Sequence, residues 1–456
     1  MTGGALKGRL KSFARRLGLR RPPPFLGLKV RALVYRLVYT RASLASMPDW
    51  AGYRVPESCL YLNAFGRLLF SLQQRLYLRF GLRERLAIQL EHFDDVDYGR
   101  LYGRGSHQRL WPVAPFVETA QHRDAATEGL MTRLQTSYSL AYTHDARRLS
   151  QSPWWKTMTG EFQEHFFEND KTIKRDTLVN FRRRATSKAA IISDQLDTIV
   201  PQKSFEHSYR QSLGLVLRYH KRSEWVDHAT LASVSESFSG NNLCPVYRGQ
   251  RLSRRLLLHA YYLSQIRKHT GFRKDDSFSI LDLGGAYGGL VRLLSLYYTN
   301  CRAFLIELPE ICVLAGYFLS QALPRKRIVV LSELDLDDLK AGRIDLSRGD
   351  VFVLPTWVIE HLPDKCIDLV INTTSLGEMS MESGQYYIRH IERLTRGYFY
   401  SCNRSFSDMS KYDDFNFYNW NFQERWHTIL YQLNHAGKLE WLGQCERQED
   451  RHGRRA

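Results

Sequence analysis

The sequence predicts an α/β fold with a mostly parallel sheet in the second half of the chain, behind a mainly helical N-terminal part. Three observations carry the prediction. First, Ser279–Leu283 is a short apolar run holding one acid, Asp282, and it leads into the glycine-dense turn Gly284-Gly285-Ala286-Tyr287-Gly288-Gly289. Leu290–Leu296 then reads as an apolar helix, so the stretch is strand, turn and helix, with glycines where the backbone bends and a ligand comes close. Second, Ala303–Glu307 is another buried strand. Its terminal carboxylate is placed to accept hydrogen bonds from two ribose hydroxyls. Third, apolar strands alternate with helical patterns from residue 279 onward, which implies a parallel sheet covered on both faces. Strands are expected near 279–283, 303–307, 327–331, 367–373 and 397–402, with helices near 309–321 and 382–395. Val351–Leu354 reads either as a further strand or as the loop that leads to a bound base.

The glycine turn admits two ligand classes. Gly284, Ala286 and Gly289 stretch to a degenerate G-x-A-x-x-G for NAD. Asp282, two residues before Gly284, instead suits a ligand with ammonium and sulfonium charge. A pyrophosphate needs a helix N-terminus free of negative charge. No Tyr-x-x-x-Lys occurs in the chain, which removes the usual catalytic pair of short-chain oxidoreductases and epimerases. An NAD-dependent nucleotide-sugar enzyme remains the competing class, and a non-catalytic membrane-associated scaffold the other.

The acid-apolar-glycine pattern resembles the first motif of class I S-adenosylmethionine-dependent methyltransferases, with Ala286 standing at the middle glycine. A narrower resemblance covers the second half of the chain. Glu307-Leu308-Pro309-Glu310, Asp368–Thr373, Ser375–Met379 and Gly397–Arg404 stand in the order in which the sugar O-methyltransferases carry their blocks. Those blocks are acid-Leu-Pro-Glu, a strand ending Ile-Asn-Thr, Ser-x-x-Glu-Met, and Tyr-Phe-Tyr-Ser-x-Asn-Arg. The resemblance implies a Rossmann-like class I methyltransferase domain, S-adenosylmethionine as cofactor, and a sugar or glycan acceptor. The cofactor residues it points to are Asp282, Gly284, Gly285, Tyr287, Gly288, Glu307, Leu308 and Asn372, with Trp357 stacked on adenine.

Methyl transfer to a hydroxyl needs alignment and a base. Glu378, in the turn beyond the 367–373 strand, is the first candidate; its competing role is to cap the following helix. His361 is the second, because imidazole titrates near neutrality. Asn242, Tyr247 and Arg255, before and at the start of a helix capped by Ser253, are expected to wall the acceptor pocket. No ligand spacing calls for a metal ion.

Across its 456 residues the chain is 43% hydrophobic, enough for more than one core. The expected organisation is a basic arm over 1–50, a mainly helical domain over 51–250, and the catalytic domain over 251–456. The net charge of +18 is uneven: the first 48 residues hold 11 basic side chains and no acid, the remainder 54 basic against 47 acidic. Such an arm suits an anionic membrane surface, at about 1 kcal/mol per basic residue. Leu28, Val30, Leu33, Val34, Leu37 and Val38, interleaved with Lys29, Arg31 and Arg36, outline an interfacial helix. Nucleic-acid binding is not expected, since neither zinc-finger spacing nor an aromatic RNA motif occurs. No apolar run reaches the roughly 18 residues of a spanning helix, and no signal peptide is read. Seven scattered cysteines, never in Cys-x-x-Cys spacing, suit a reducing compartment. A cytoplasmic location follows, with the arm suited to the inner membrane face.

Within the N-terminal half, Phe65, Leu68, Leu69, Leu72 and Leu76 form a helical stripe, and 129–235 reads as mainly helical. Ser152-Pro153 is a helix start, followed by the apolar face Met158, Phe162 and Phe166. Leu256, Leu257, Ala260 and Leu263 line one face of the helix that Ser253 caps.

Overall fold

Parallel β-strands whose sequences are apolar throughout need cover on both faces, and helices supply it here. The computed structural model describes residues 88–90, 125–144, 152–179, 181–182, 234–240, 245–247, 250–251, 253–403, 417, 420–422, 426–433 and 438–446. They all belong to one compact unit. The basic arm, the 65–76 stripe and Asn242 lie outside the described residues, and so do the side chain of Tyr247 and all of 183–233.

In chain order the elements begin with β1 (Ile88–Leu90), α1 (Ala125–His144), α2 (Pro153–Phe166) and α3 (Arg175–Val179). Next come β2 (Pro245–Tyr247), β3 (Gln250–Arg251), α4 (Arg254–Thr270), β4 (Ser279–Leu283), α5 (Gly289–Tyr297), β5 (Arg302–Glu307), α6 (Pro309–Ala322) and β6 (Ile328–Val330). The chain continues through α7 (Leu336–Lys340), β7 (Val351–Pro355), β8 (Ile367–Thr373), α8 (Met381–Leu394), β9 (Thr395–Asn403), β10 (Trp426–Leu433) and β11 (Leu439–Cys445). β1, β2 and β3 make a small antiparallel sheet.

The main sheet has the order β10-β11-β9-β8-β4-β5-β7-β6. Strands β4 to β9 run parallel, and β11 is inserted antiparallel between β9 and β10. Apart from the added edge strand β6, this is the Rossmann-like arrangement of the class I methyltransferases. Residues 351–355 are thus a strand. The chain order reverses between β5-β4 and β8, and ligands of open α/β sheets bind at the carboxyl ends beside such a point.

One face of the sheet packs Ala303, Leu305, Val351 and Val353 against α6 and against Leu134, Tyr138, Phe162 and Phe166 of α1 and α2. The N-terminal helices therefore share the core of the sheet. On the other face, Ile280, Leu369, Ile371 and Tyr400 pack against α4 and α5. Two sequence-predicted helix starts are present. Ser152 caps α2, with Pro153 in the first turn, and Ser253 caps α4 through the Leu256 amide. A buried carboxylate also anchors α4 across the sheet. Glu440 accepts hydrogen bonds from Tyr261 and Tyr400, each 2.5 Å, and from Gln432 at 2.8 Å.

Candidate cofactor and active site

Asp282 lies in the middle of the sheet, in register with Leu305 on one side and Ile371 on the other. It is fully buried, and neither carboxylate oxygen has a hydrogen-bond partner among the described residues. Burial, and after it the charge of Glu307, pushes its carboxyl up to about 8. A buried acid without donor or cation is costly, and such groups mark binding sites.

The turn above Asp282 is built for close approach. Gly284 has φ +71°, and its amide donates to Ile306 C=O at 2.9 Å, tying the turn to β5. A Cβ on Gly285 would stand 2.3 Å from Asp282 Oδ2. Ala286, where the resembling motif has glycine, is itself left-handed at φ +51°, so its methyl is accommodated with strain. The Tyr287 ring is buried in the core against Phe181 and Phe318, with centroids 5.5 and 4.8 Å away.

Glu307 folds back on the same turn. One oxygen accepts from the Ala286 amide and the other from the Leu308 amide, both at 2.8 Å. Burial pushes its carboxyl up to about 7 against the pull of those two amides, with the charge of Glu378 adding to the rise. Asp282, Glu307 and Glu378 thus form a run of buried acids in electrostatic contact.

Asn372, at the tip of β8, spends its side chain on the scaffold. Its Nδ2 donates to Leu283 C=O at 2.7 Å and to Ser375 Oγ at 2.6 Å, while its Oδ1 accepts from Asn403 Nδ2 at 2.9 Å. The tips of β4, β8 and β9 are locked together by this network. Beyond it, Thr374 holds φ +76°, an outlier for a β-branched residue. Lys438 donates to its hydroxyl at 2.8 Å. Strain of this kind persists only where neighbours over-determine the backbone, and it clusters at functional turns.

The turn closes in a 3₁₀ segment over Leu376–Glu378, and Glu378 is buried. Its carbonyl accepts from Ser152 Oγ at 2.8 Å, so the start of α2 is bonded to the candidate base's own backbone. Ser380, not Glu378, caps α8. His361 ends the 356–361 turn that follows β7, its ring 5.8 Å from Trp357. Trp357 is buried, its indole N–H has no partner among the described residues, and the His144 ring also lies 5.8 Å away. A narrow apolar crevice is lined by Tyr138, Ala141, Pro309, Cys312, Val353 and Pro355.

Behind the glycine turn is a second buried cluster that no local pattern in the sequence announced. Arg182, fully buried, pairs with Glu236 at 3.2 Å. Ser253 Oγ donates to Glu236 at 2.5 Å, and Arg292 donates to Ser235 C=O at 2.8 Å. Burial works to raise the Glu236 carboxyl, but the charges of Arg182 and Arg292 outweigh it and hold it at about 2. Arg255 opens α4 with its guanidinium carbon 5.8 Å from the Tyr287 ring centroid. Ser375 and Asn403 belong to blocks that carry the family resemblance; Ser152, Arg182 and Glu236 act through partners distant in sequence.

Among the described residues, no group of three or more His, Cys, Asp and Glu is placed to hold a metal ion. Nor is any helix among them long and apolar enough to cross a membrane.

No protein-family model and no curated protein matches the chain. Among solved structures it is similar in part to a mitomycin 7-O-methyltransferase, at 17% identity and TM-score 0.22 over 34% of this chain and 40% of that one. It is also similar to the PH0226 protein of Pyrococcus horikoshii, at 12% identity and TM-score 0.29 over 41% of this chain and 92% of that one. An O-methyltransferase family protein from Burkholderia thailandensis aligns at 10% identity and TM-score 0.29 over 41% and 57%. The chain spans less than half the length of the mitomycin enzyme. The fold rests on the strand order itself, not on these partial likenesses.

Proposed function

We propose that the chain is an S-adenosylmethionine-dependent O-methyltransferase acting on a sugar hydroxyl of a glycan or nucleotide-sugar. The observation that carries this reading is Asp282, a fully buried carboxylate with no hydrogen-bond partner among the described residues, facing the glycine turn at the reversal point of the sheet. It adjoins a second acid, Glu307, and among the described residues no cation offsets the rise of either acid. A ligand bearing ammonium and sulfonium charge supplies what this pocket lacks, whereas a pyrophosphate adds repulsion. The sugar acceptor is supported by the four resembling blocks, which supply Glu307, Asn372, Ser375, Glu378 and Asn403 to one end of the sheet.

In this reading Gly284–Gly288 would hold the cofactor's methionyl end, Glu307 its ribose, and Leu308 and Trp357 its base. The cofactor brings an electrophilic methyl group; the protein aligns it with the acceptor oxygen. Glu378, buried in the turn beyond β8, takes the hydroxyl proton. His361 is the alternative base. The basic arm is proposed to hold the enzyme at an anionic cytoplasmic membrane face.

Differential scanning fluorimetry with S-adenosylmethionine, S-adenosylhomocysteine and NAD tests the cofactor. The first two raise the melting temperature and NAD does not, since only a ligand of the folded state stabilises by mass action. Stabilisation by NAD alone would reverse the assignment. Glu378→Gln should slow methyl transfer by about 10²-fold with calorimetric S-adenosylhomocysteine affinity within about twofold. Unchanged turnover would remove Glu378 as the base.

A further inference from the structure

Asp282 is not the only buried acceptor at the strand tips that lacks a donor. Asn403 ends β9, is 3% exposed, and its side-chain oxygen has no hydrogen-bond partner among the described residues. Backbone groups decide which end of its amide is the oxygen. Leu283 C=O can only accept, so the Asn372 atom 2.7 Å from it is Nδ2. The Leu376 amide can only donate, so the atom 3.2 Å from it is Asn372 Oδ1. Asn403 therefore turns its own Nδ2 to that Oδ1, at 2.9 Å, and the same nitrogen lies 3.3 Å from Asn372 C=O and 2.8 Å from Ser401 Oγ. Its oxygen is left over. Folded chains seldom bury an acceptor unpaired without a reason.

The place of this oxygen separates it from the cofactor acids. Asp282 and Glu307 belong to β4 and β5, whereas β9 lies on the far side of β8 from both. Strands about 4.8 Å apart put the tips of β4 and β9 roughly 10 Å from each other. Asn403 is nonetheless tied to the candidate base. It bonds Asn372, Asn372 bonds Ser375 Oγ at 2.6 Å, and Ser375 C=O accepts from the Glu378 amide at 3.0 Å. The Thr374 amide donates to Cys402 C=O at 3.0 Å, so the turn that carries Glu378 is pinned to β9 beside Asn403. The two unpaired acceptors also call for different chemistry: the carboxylate for a cation, the amide oxygen for a neutral N–H or O–H.

Resting on the methyl-transfer reading, we infer that Asn403 Oδ1 accepts a hydrogen bond from a second hydroxyl of the acceptor, beside the one that is methylated. The methylated oxygen loses its proton to Glu378 and gains the methyl group as the carbon–sulfur bond of the donor breaks. The hydroxyl on Asn403 keeps its proton throughout. The acceptor is then a polyol such as a sugar ring; a substrate with a single hydroxyl leaves Asn403 unpaired. Asn403 is in this way a specificity-determining residue.

Initial rates of methyl transfer from S-adenosylmethionine, on the full chain, test this. UDP-glucose, UDP-galactose, UDP-N-acetylglucosamine, GDP-mannose and the methyl glycosides of these sugars are assayed first. The best acceptor is then compared with its monodeoxy analogues that keep the methylated hydroxyl. In wild type, removal of one hydroxyl lowers kcat/KM about 10- to 100-fold. In Asn403→Ala that preference falls to about threefold or less, whatever the absolute rate. A purely structural role lowers parent and analogue by one factor and leaves the preference intact; that result overturns the inference and leaves methyl transfer standing. Should Asn403→Ala not fold, wild type decides, because equal rates with every analogue overturn the inference as well. Transfer to none of these sugars, with S-adenosylhomocysteine bound in calorimetry, removes the sugar reading and this inference with it.

Discussion

Glu236 and Asp282 are both buried carboxylates, yet the first is held at about 2 and the second is pushed up to about 8. Burial acts upward on both. The difference lies in their neighbours. Glu236 is met by Arg182, Arg292 and Ser253. Asp282 is met by aliphatic strands and a second acid. A carboxylate whose partners are all supplied by the chain is part of the frame, and one left without them is waiting for a ligand. Substitutions at four positions break or sharpen that contrast.

Arg182→Ala should have the largest effect. It strands the Glu236 charge in the core and should cost about 3–5 kcal/mol in urea unfolding, as removal of one partner of a buried pair does. A loss below about 1 kcal/mol would show that the pair does not hold 181–182 and 234–240 together.

Asp282→Asn should act in the opposite direction on the ligand-free protein. A raised folded-state value means that the folded chain binds more protons than the unfolded chain between about pH 4 and pH 8, so wild-type stability falls as pH rises through that window. The variant lacks this slope. Relative to wild type it should gain about 2 kcal/mol or more from pH 4 to pH 8, since each tenfold difference in proton affinity between the folded and unfolded chain is worth about 1.4 kcal/mol. Parallel stability–pH curves would mean that Asp282 is not raised.

Ser152→Ala is intermediate. It removes the cap of α2 and leaves Glu378 C=O without its donor, for about 1–2 kcal/mol by chemical denaturation. Ser152→Gly, a better cap than alanine, should recover only part of this; full recovery would mean that the bond to Glu378 contributes nothing.

Ala286→Gly is the smallest. Relief of the left-handed alanine opposes the added freedom of glycine in the unfolded chain, so the net change should lie between zero and about 1 kcal/mol of stabilisation. Destabilisation beyond about 1 kcal/mol would show that the methyl is packed to advantage.

The strands were legible where sequence and geometry share a period. Those expected at 279–283 and 367–373 match their observed bounds, and the 303–307 strand begins one residue early. The two acids at strand tips and the helix caps at Ser152 and Ser253 were legible for the same reason, since each is a local pattern. The β10–β11 pair was not. Its residues complete a sheet through antiparallel partners on β9, and nothing nearby in sequence declares that pairing. The site divides likewise. Asn372 could be placed at a strand tip, but its engagement by Leu283, Ser375 and Asn403 depends on three strands meeting. Arg182 and Glu236 lie 54 residues apart, so their pairing is a property of the folded state.

Everything proposed for the pocket turns on Asp282 being protonated at neutral pH without ligand and giving up its proton to a cationic one. Calorimetric binding of S-adenosylmethionine at pH 7, repeated in buffers of different ionisation enthalpy, counts that proton directly. Release of about one proton more by wild type than by Asp282→Asn is the predicted result. Binding without proton release, or the same release from both proteins, would contradict it.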